Sequence, residues 1–353
     1  MKILHVGNGN QKHRGAKFYD VGTKISNGFI RAGHHVLFMS DRDITRALGV
    51  LKSKTSGQKH CNRYFIECCI NYKPDLIVLG HADFITPESL IEAKKILKDV
   101  KILQWNVDPV FRPKNVANIL SKTGCVDMTF VTTAGETLAQ FSGNDCKTAY
   151  IPNPIDPSIE TLKQHQRTDQ KHDVFWAMRF SKYHDDNDPR ITYPLFLKDN
   201  GINIQHHGVT PKSEIFGADY FEAISNAKMG LNLSVNKNCK ASPIAANKDL
   251  FLYSSDRISH YMGNGLLTFT PNYNRIDEIF TADKEIVTFE NQHDLLEKVK
   301  YFQENDDARQ NIAKAGWTKS HEKLNATLVS QYMIEQTFKL EYTHDYIWPT
   351  KLY

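Results

Sequence analysis

The sequence predicts an α/β protein made of two parallel-sheet units in succession. Three observations carry that expectation. The chain opens with a strand, a glycine loop, a helix and a second strand (Lys2 to Ser40), an order that favours parallel pairing because parallel neighbours need a long crossover. The same rhythm recurs through the first 151 residues and, after the proline-rich PNPIDP (Pro152 to Pro157), restarts at Asp173. A length of 353 residues is also long for one domain and ordinary for two.

Lys2 to Gly7 is a short apolar strand ending in GNGN. A helix follows over about Ala16 to Ala32, since Val21, Ile25 and Phe29 recur at spacing four and Gly33 stands where a helix ends. His35 to Ser40 is the next strand, Gln58 to Tyr72 a helix, and LIVLG (Leu76 to Gly80) a strand. Pro87 opens the helix Glu88 to Lys98, as proline suits a first turn. Strands follow at Lys101 to Trp105, Asp127 to Thr132 and Thr148 to Ile151, with a short helix at Gly135 to Phe141. Three prolines in PNPIDP stop any helix or central strand, and the polar run Glu160 to His172 reads as the boundary.

The second half predicts strands at Asp173 to Ala177, Ile202 to His206, Met229 to Leu233, Leu266 to Thr270 and Glu285 to Phe289. Helices are expected at Arg190 to Asn200, Asp219 to Ala227, Asn274 to Phe280, Gln292 to Gln303 and Asp306 to His321. A last helix, Ala326 to Phe338, precedes an aromatic tail. The division expected is 1–155, 156–325 and a C-terminal segment, 326–353, that packs back on the first unit.

Apolar residues make up 41% and aromatic residues 11% of the chain, ample for two cores. A net charge of +4 is too weak and too dispersed for a nucleic-acid protein and suits a small anionic ligand. The six cysteines show no CxxC pair, so neither a disulfide framework nor a zinc site is expected. The opening MKILHVGNGN has too short an apolar run for a secretory leader, and no stretch reaches membrane-spanning length. The expectation is a soluble cytoplasmic protein. The basic segment Arg42 to Lys59 reads either as a weak peripheral contact with the acidic inner face of a membrane or, with more weight, as a solvated helix and loop.

Chemistry is expected at the carboxyl ends of the strands, where open parallel sheets bind ligands. The loop at Gly7, Gly9 and Asn10 is not a dinucleotide fingerprint, because Lys12 holds the third glycine position, but it can approach a phosphate or sugar. His81 and Asp83 follow one strand and Asp108 another, and any of the three can serve as a general base, Asp108 being preferred. Asp186 and Asp188 in HDDNDP resemble a carboxylate pair for a divalent cation, but the run lacks the other marks of such a loop, and no metal is expected. Arg179 and Lys182 follow the first strand of the second half, well placed for a diphosphate. The stretch YSSDRISHYMGNGLLTFT, Tyr253 to Thr270, offers Ser254, Ser255 or Asp256 as helix caps, first-turn amides for an anion, and Arg257 as a fixed positive group.

Taken in order, VFWAMRFSKY, INIQHHG, DYFEAISNAKMGLNLS, SSDRISHYMGNGLLTF, RIDEIF, KEIVTF and HDLLEKVKYFQENDDARQNIAKAGW resemble the nucleotide-binding domain of GT-B glycosyltransferases, in the group-1-like branch that includes spore-coat maturation glycosyltransferase-like proteins. The resemblance covers Asp173 to Phe338, and the first half shares only its α/β rhythm and glycine loop. It implies two Rossmann-like domains facing a central cleft, with the last helix crossing back to the first domain. It also implies transfer of a sugar from a nucleotide-activated donor, used as substrate without a further cofactor, to a glycan or lipid-linked hydroxyl acceptor in cell-surface glycan synthesis. The alternatives are a non-catalytic sugar-nucleotide or glycan-binding protein and a sugar-nucleotide epimerase.

By position in the resemblance, Arg257 corresponds to the phosphate-contacting arginine, Gly263 and Gly265 to glycines beside the donor, and Gly208 to the end of a nucleotide-side strand. His260 stands where many relatives carry a ribose-contacting glutamate. A neutral histidine still accepts a hydrogen bond there. Metal-independent transfer follows from the resemblance together with these cationic side chains.

Overall fold

A computed structural model describes residues 1–49, 54–143, 145–180, 187–234 and 250–353. The chain divides into two compact units, Met1–Pro154 with Ala326–Tyr353, and Ile155–Asn325.

Unit 1 runs β1 (Lys2–Gly7), α1 (Val21–Arg31), β2 (His35–Ser40), α2 (Asp41–Leu48), α3 (Lys54–Tyr72), β3 (Leu76–Gly80), α4 (Pro87–Ile96), β4 (Lys101–Asn106), α5 (Pro113–Thr123), β5 (Met128–Val131) and β6 (Lys147–Tyr150). Its strands lie in the order β2-β1-β3-β4-β5-β6 and pair in parallel throughout. All five residues of β3 are buried, as helix cover on both faces of a parallel sheet requires.

Unit 2 runs β7 (His172–Ala177), α6 (Pro189–Asp199), β8 (Ile204–His207), α7 (Ala218–Ser225), β9 (Ala227–Leu231), α8 (Arg257–Gly263), β10 (Leu267–Pro271), β11 (Val287–Phe289), α9 (Gln292–Glu304) and α10 (Asp306–Lys323). Its parallel sheet has the order β11-β10-β9-β7-β8. Trp176, Met229, Leu231, Leu267, Phe269 and Leu295 anchor its core, all essentially inaccessible. α11 (Ala326–Phe338) returns to unit 1 and packs on α1.

Several helices depart from the sequence reading. α5 is absent from it, and α2 enters it only as the helix in the solvated segment Arg42 to Lys59; both bury largely polar faces, Asp41, Asp43 and Thr45 on α2, and Asn115 and Lys122 beside Ile119 on α5. The helix expected at Asn274 to Phe280 is instead a pair of 3₁₀ turns, with Arg275 left-handed between them. The five described cysteines, Cys61, Cys68, Cys69, Cys125 and Cys146, are unpaired thiols, each pushed up by burial and so poor nucleophiles. No described helix is long and apolar enough to cross a membrane.

Candidate functional site

In unit 1 the polar groups gather where β1, β3 and β4 end. The loop after β1 is braced from below: Gly9 N–H donates to Ser40 Oγ at 2.9 Å and Gln11 N–H to Asp43 Oδ2 at 3.1 Å, while the Asn10 side chain donates to Asp20. A Cβ on Gly9 would lie 2.8 Å from Ser40 Cβ, and Gly7 closes β1 in ordinary contact. Gly7, Gly9 and Asn10 belong to a tight loop held by the N-terminal ends of α1 and α2.

After β3 the backbone takes two consecutive left-handed residues, His81 at φ 59° and Ala82 at φ 39°. Such conformations cost non-glycine residues energy and persist where the surroundings impose them. Here Asn118 Nδ2 and Lys122 Nζ on α5 both donate to the His81 carbonyl, at 2.9 and 3.3 Å. His81 Nδ1 lies 4.0 Å from Asp108 Oδ2, so the structure brings the two expected bases together. Burial holds the His81 pKa below its ordinary value, against the opposing pull of Asp108 and Asp83. The Asp108 side chain is about half exposed, at 54%.

Beneath this loop sit charged groups that sequence reading missed. The Lys122 ammonium is buried and its pKa is brought down to about 8 by that burial. Asp41 is 1% exposed; Oδ2 accepts from Phe84 N–H at 3.1 Å, whereas Oδ1 is buried with no hydrogen-bond partner among the described residues. Burial pushes the Asp41 carboxyl up to about 6.

That shift has a sign that can be checked. An unfolded Asp41 ionises near 3.8, so above pH 6 the folded state carries the whole penalty of a buried carboxylate. As pH falls from about 6 to 3.8 the folded carboxyl takes its proton first and the penalty is withdrawn. A shift of this size corresponds to about 3 kcal/mol. Asp41→Asn keeps the acceptor for Phe84 N–H, so at pH 8 it should be more stable than wild type by roughly 1–3 kcal/mol. Denaturant midpoints measured from pH 4 to 8 should converge at the acid end. A gap independent of pH would refute the assignment.

In unit 2 the corresponding strand ends carry Arg257. Its guanidinium lies over the Trp176 ring, 4.7 Å from the centroid, and NH2 donates to the Leu233 carbonyl at 2.5 Å. Arg257 Nε is buried without an acceptor among the described residues. An unpartnered guanidinium N–H is costly and calls for an anion. Beside it, Asn232 Nδ2 donates to Ser254 Oγ at 3.0 Å and to Thr270 Oγ1 at 3.2 Å, and Ser255 N–H donates to Ser234 Oγ at 3.0 Å.

The helix-cap expectation is corrected here. Asp256 is the N-cap residue of α8 but makes no side-chain capping bond, and Ser254 and Ser255 turn toward β9 instead. The amides of Ile258, Ser259 and His260 already donate to the carbonyls of Ser255 and Asp256. The anion-binding capacity of this stretch therefore resides in the Arg257 side chain rather than in first-turn amides.

The other expected residues separate. Gly208 is left-handed at φ 77°, and a Cβ there would lie 1.8 Å from the Met178 carbonyl oxygen, so only glycine fits after β8. Arg179 is exposed just past β7, and Lys182 and Asp186 lie outside the described residues. Asp188 is taken up by Arg190, at 2.6 Å, and caps α6. Gly263 and Gly265 lie at the far end of α8 from Arg257 and meet protein: Cβ atoms there would fall 2.8 Å from Glu160 and 2.7 Å from His165. His260, 2% exposed, meets Glu160 Oε1 through Nδ1 at 2.8 Å. Trp176, Asn232 and Glu160 were not singled out from the sequence; Trp176 and Asn232 stand in VFWAM and GLNLS, stretches already read as strand ends.

Comparison with known proteins bears on both units. The Anabaena protein HepE, solved with UDP and glucose, superposes with a TM-score of 0.59 at 12% identity, over 96% of this chain and 100% of that one. Sucrose-phosphate synthase from Thermosynechococcus elongatus gives 0.58 at 10% identity, over 96% and 98%. A glycosyltransferase from Rickettsia africae gives 0.56 at 12% identity over the same shares. The fold is GT-B. Within this GT-B chain, residues 190–334 match a family described as glycosyl transferase-like, a span that includes Arg257 and His260. No protein of curated function matches the chain by sequence.

Proposed function

We propose that this GT-B protein transfers a sugar from a nucleotide-activated donor to a hydroxyl of a glycan or lipid-linked acceptor. The observation that carries the reading is Arg257: stacked on Trp176, anchored to Leu233, with a buried Nε–H left over, inside a segment matching glycosyl transferase-like sequences. A planar guanidinium of this kind suits a diphosphate. The shared fold of HepE, solved with UDP-glucose, supports the choice of donor class.

Unit 2 holds the donor. Arg257, with Arg179 and Lys182 following β7, offsets the negative charge that grows on the departing nucleoside diphosphate, in place of a metal ion. Unit 1 serves the acceptor. As its oxygen bonds to the anomeric carbon, the acceptor hydroxyl gives its proton to the Asp108 carboxylate, and the carbon–oxygen bond to the diphosphate breaks with its electron pair leaving on the nucleotide. Synthesis of a cell-surface glycan by a cytoplasmic enzyme, with weak contact at the membrane, is the setting that fits such chemistry.

A panel of nucleotide sugars, assayed for release of free nucleotide with and without acceptor glycans, tests the reading. One donor should turn over, and Asp108→Asn should lower its turnover by about 100-fold or more, the usual range for a lost general base. Binding without turnover by any donor would leave a sugar-nucleotide-binding protein. An epimerised donor formed without acceptor would make it an epimerase.

A further inference from the structure

Around the ends of β3 and β4 three side-chain amide and imidazole groups are connected in a chain whose polarity is fixed by backbone atoms. Asp108 N–H donates to Asn106 Oδ1 at 2.9 Å. A backbone N–H can only donate, so the Asn106 oxygen must face it and the Asn106 NH2 must face the other way. At the other end, Asn115 Nδ2 reaches the carbonyls of Asp108 and Pro109, at 3.2 and 3.3 Å, and carbonyls can only accept. The Asn115 oxygen is thereby turned toward Asn106 Nδ2, 2.5 Å away. Rotating either amide would set oxygen against oxygen or N–H against N–H.

The Asn106 NH2 has two hydrogens. One goes to Asn115 Oδ1; the other is directed at His81 Nδ1, at 3.2 Å. Asn106 is 2% exposed, so water does not offer an alternative partner. Nδ1 of His81 must therefore present a lone pair. In a neutral imidazole the proton is then on Nε2. The ring is held in place as well: it packs edge-on to Trp105, with centroids 5.7 Å apart, and its own carbonyl is bound by Asn118 and Lys122.

We infer that Asn106 is a positioning residue that locks His81 as the Nε2–H tautomer, making His81 a hydrogen-bond donor to a substrate oxygen and leaving proton abstraction to Asp108. The division of labour follows from the network. The basic nitrogen of His81 is occupied by Asn106, and Nε2 makes no hydrogen bond to the described residues, so Nε2–H is the group left to meet a ligand. Doubly protonated His81 would set Nδ1–H against the Asn106 NH2; separately, burial first, then Arg42 and Lys122, hold the basicity of this ring down against the pull of Asp108 and Asp83. The carboxylate of Asp108, 4.0 Å from Nδ1, is not hydrogen-bonded to the ring and stays available to accept a proton. The ligand that such a pair recognises is a hydroxyl-bearing one: one oxygen accepts from His81 and another donates to Asp108.

The inference concerning substrate rests on the transferase reading, whereas the tautomer does not, and the test separates them. Long-range proton–nitrogen correlation spectra of the full chain, labelled with ¹⁵N-histidine, distinguish the two tautomers directly. His5 supplies an internal reference of opposite type: Trp105 Nε1–H donates to His5 Nε2 at 3.2 Å, so His5 carries its proton on Nδ1. His81 should show the Nε2–H pattern and keep it below the pH at which exposed histidines protonate. Asn106→Asp, which presents an oxygen to Nδ1, should move the proton to Nδ1 and leave His5 unchanged; Asn106→Ala should release His81 into a tautomer mixture. An Nδ1–H or doubly protonated His81 in the wild type at pH 7, or a tautomer unmoved by both variants, overturns the lock. In the transfer assay, His81→Gln, which keeps an N–H donor, should retain activity within about 10-fold, while Asp108→Asn should not. Loss of both alike would overturn the division of roles, and absence of turnover in wild type would remove the transferase reading while leaving the spectroscopic result standing.

Discussion

Arg257→Ala is expected to remove nearly all of the thermal stabilisation that the best nucleotide sugar confers. A charge-assisted hydrogen bond contributes about 1.5–3 kcal/mol, so losing one or two to a diphosphate weakens donor binding by roughly 100-fold. At a ligand concentration 100 times the wild-type Kd, binding stabilises the folded state by about 2.7 kcal/mol; after a 100-fold loss the same concentration gives only about 0.4 kcal/mol. For a unit of this size the melting shift should fall from about 5–10 °C to about 1 °C. The comparison must be made against the variant's own unliganded midpoint, because alanine also loses the Leu233 bond and the contact with Trp176. Arg257→Lys should fall between the two, since lysine keeps the charge without the planar fork. An undiminished shift in the alanine variant would remove Arg257 from the donor site.

That expectation shows how far the sequence could be read. Arg257 was legible because it sits in an ordered series of motifs, and Asp108 and His81 because they end recognisable strands. What the sequence hid is polar and buried. α5 places Asn115 and Lys122 beside Ile119 on its inner face, and α2 places Asp41, Asp43 and Thr45, so the apolar spacings Ile44, Ala47, Leu48 and Val116, Ile119, Leu120 do not mark the faces that are buried. The same residues shape the loop at His81 and tie Asn106 to Asp108. The elements that escaped pattern reading are thus the ones that build the candidate site, as expected where function overrides the usual rules of burial.

The polar run Glu160 to His172 conceals its packing for a related reason. Its composition is polar and charged, yet Glu160, Gln164 and His165 are buried. Gln164 bonds the carbonyls of Ser225, Ala227 and Ile224 through Nε2, and Asn264 through its backbone, while Arg309 reaches back to the carbonyl of Arg167. Gly263 and Gly265 are small because this brace lies against them. Periodicity cannot show a segment whose burial depends on hydrogen bonds rather than on apolar contact. The Glu160 carboxylate, invisible as a site residue in one dimension, is what engages His260.

Gly28→Ala should cost stability, and here two effects of opposite sign compete. In an isolated helix alanine is favoured over glycine by about 1 kcal/mol. On α1, however, a Cβ at position 28 would lie 2.1 Å from the carbonyl oxygen of Ala326, 2.6 Å from its carbon and 2.4 Å from Ser330 Oγ. The serine can rotate, though it would give up its 3.1 Å bond to the Ile25 carbonyl; the Ala326 backbone cannot yield without moving α11. Such overpacking costs about 1–3 kcal/mol and occasionally more, and a contact this short with main chain belongs at the upper end. The net loss should be about 2 kcal/mol or more once helix propensity is subtracted. Because α11 crosses back from unit 2 to seat on α1, the damage should be local: faster hydrogen exchange over Ala326–Phe338 and earlier cleavage there by protease, with donor binding by unit 2 retained at low temperature. Adding Ser330→Gly should recover only part of the loss, since the Ala326 carbonyl remains in the way. A Gly28→Ala protein as stable as wild type, with α11 equally protected, would show that the helices do not meet at the distance described.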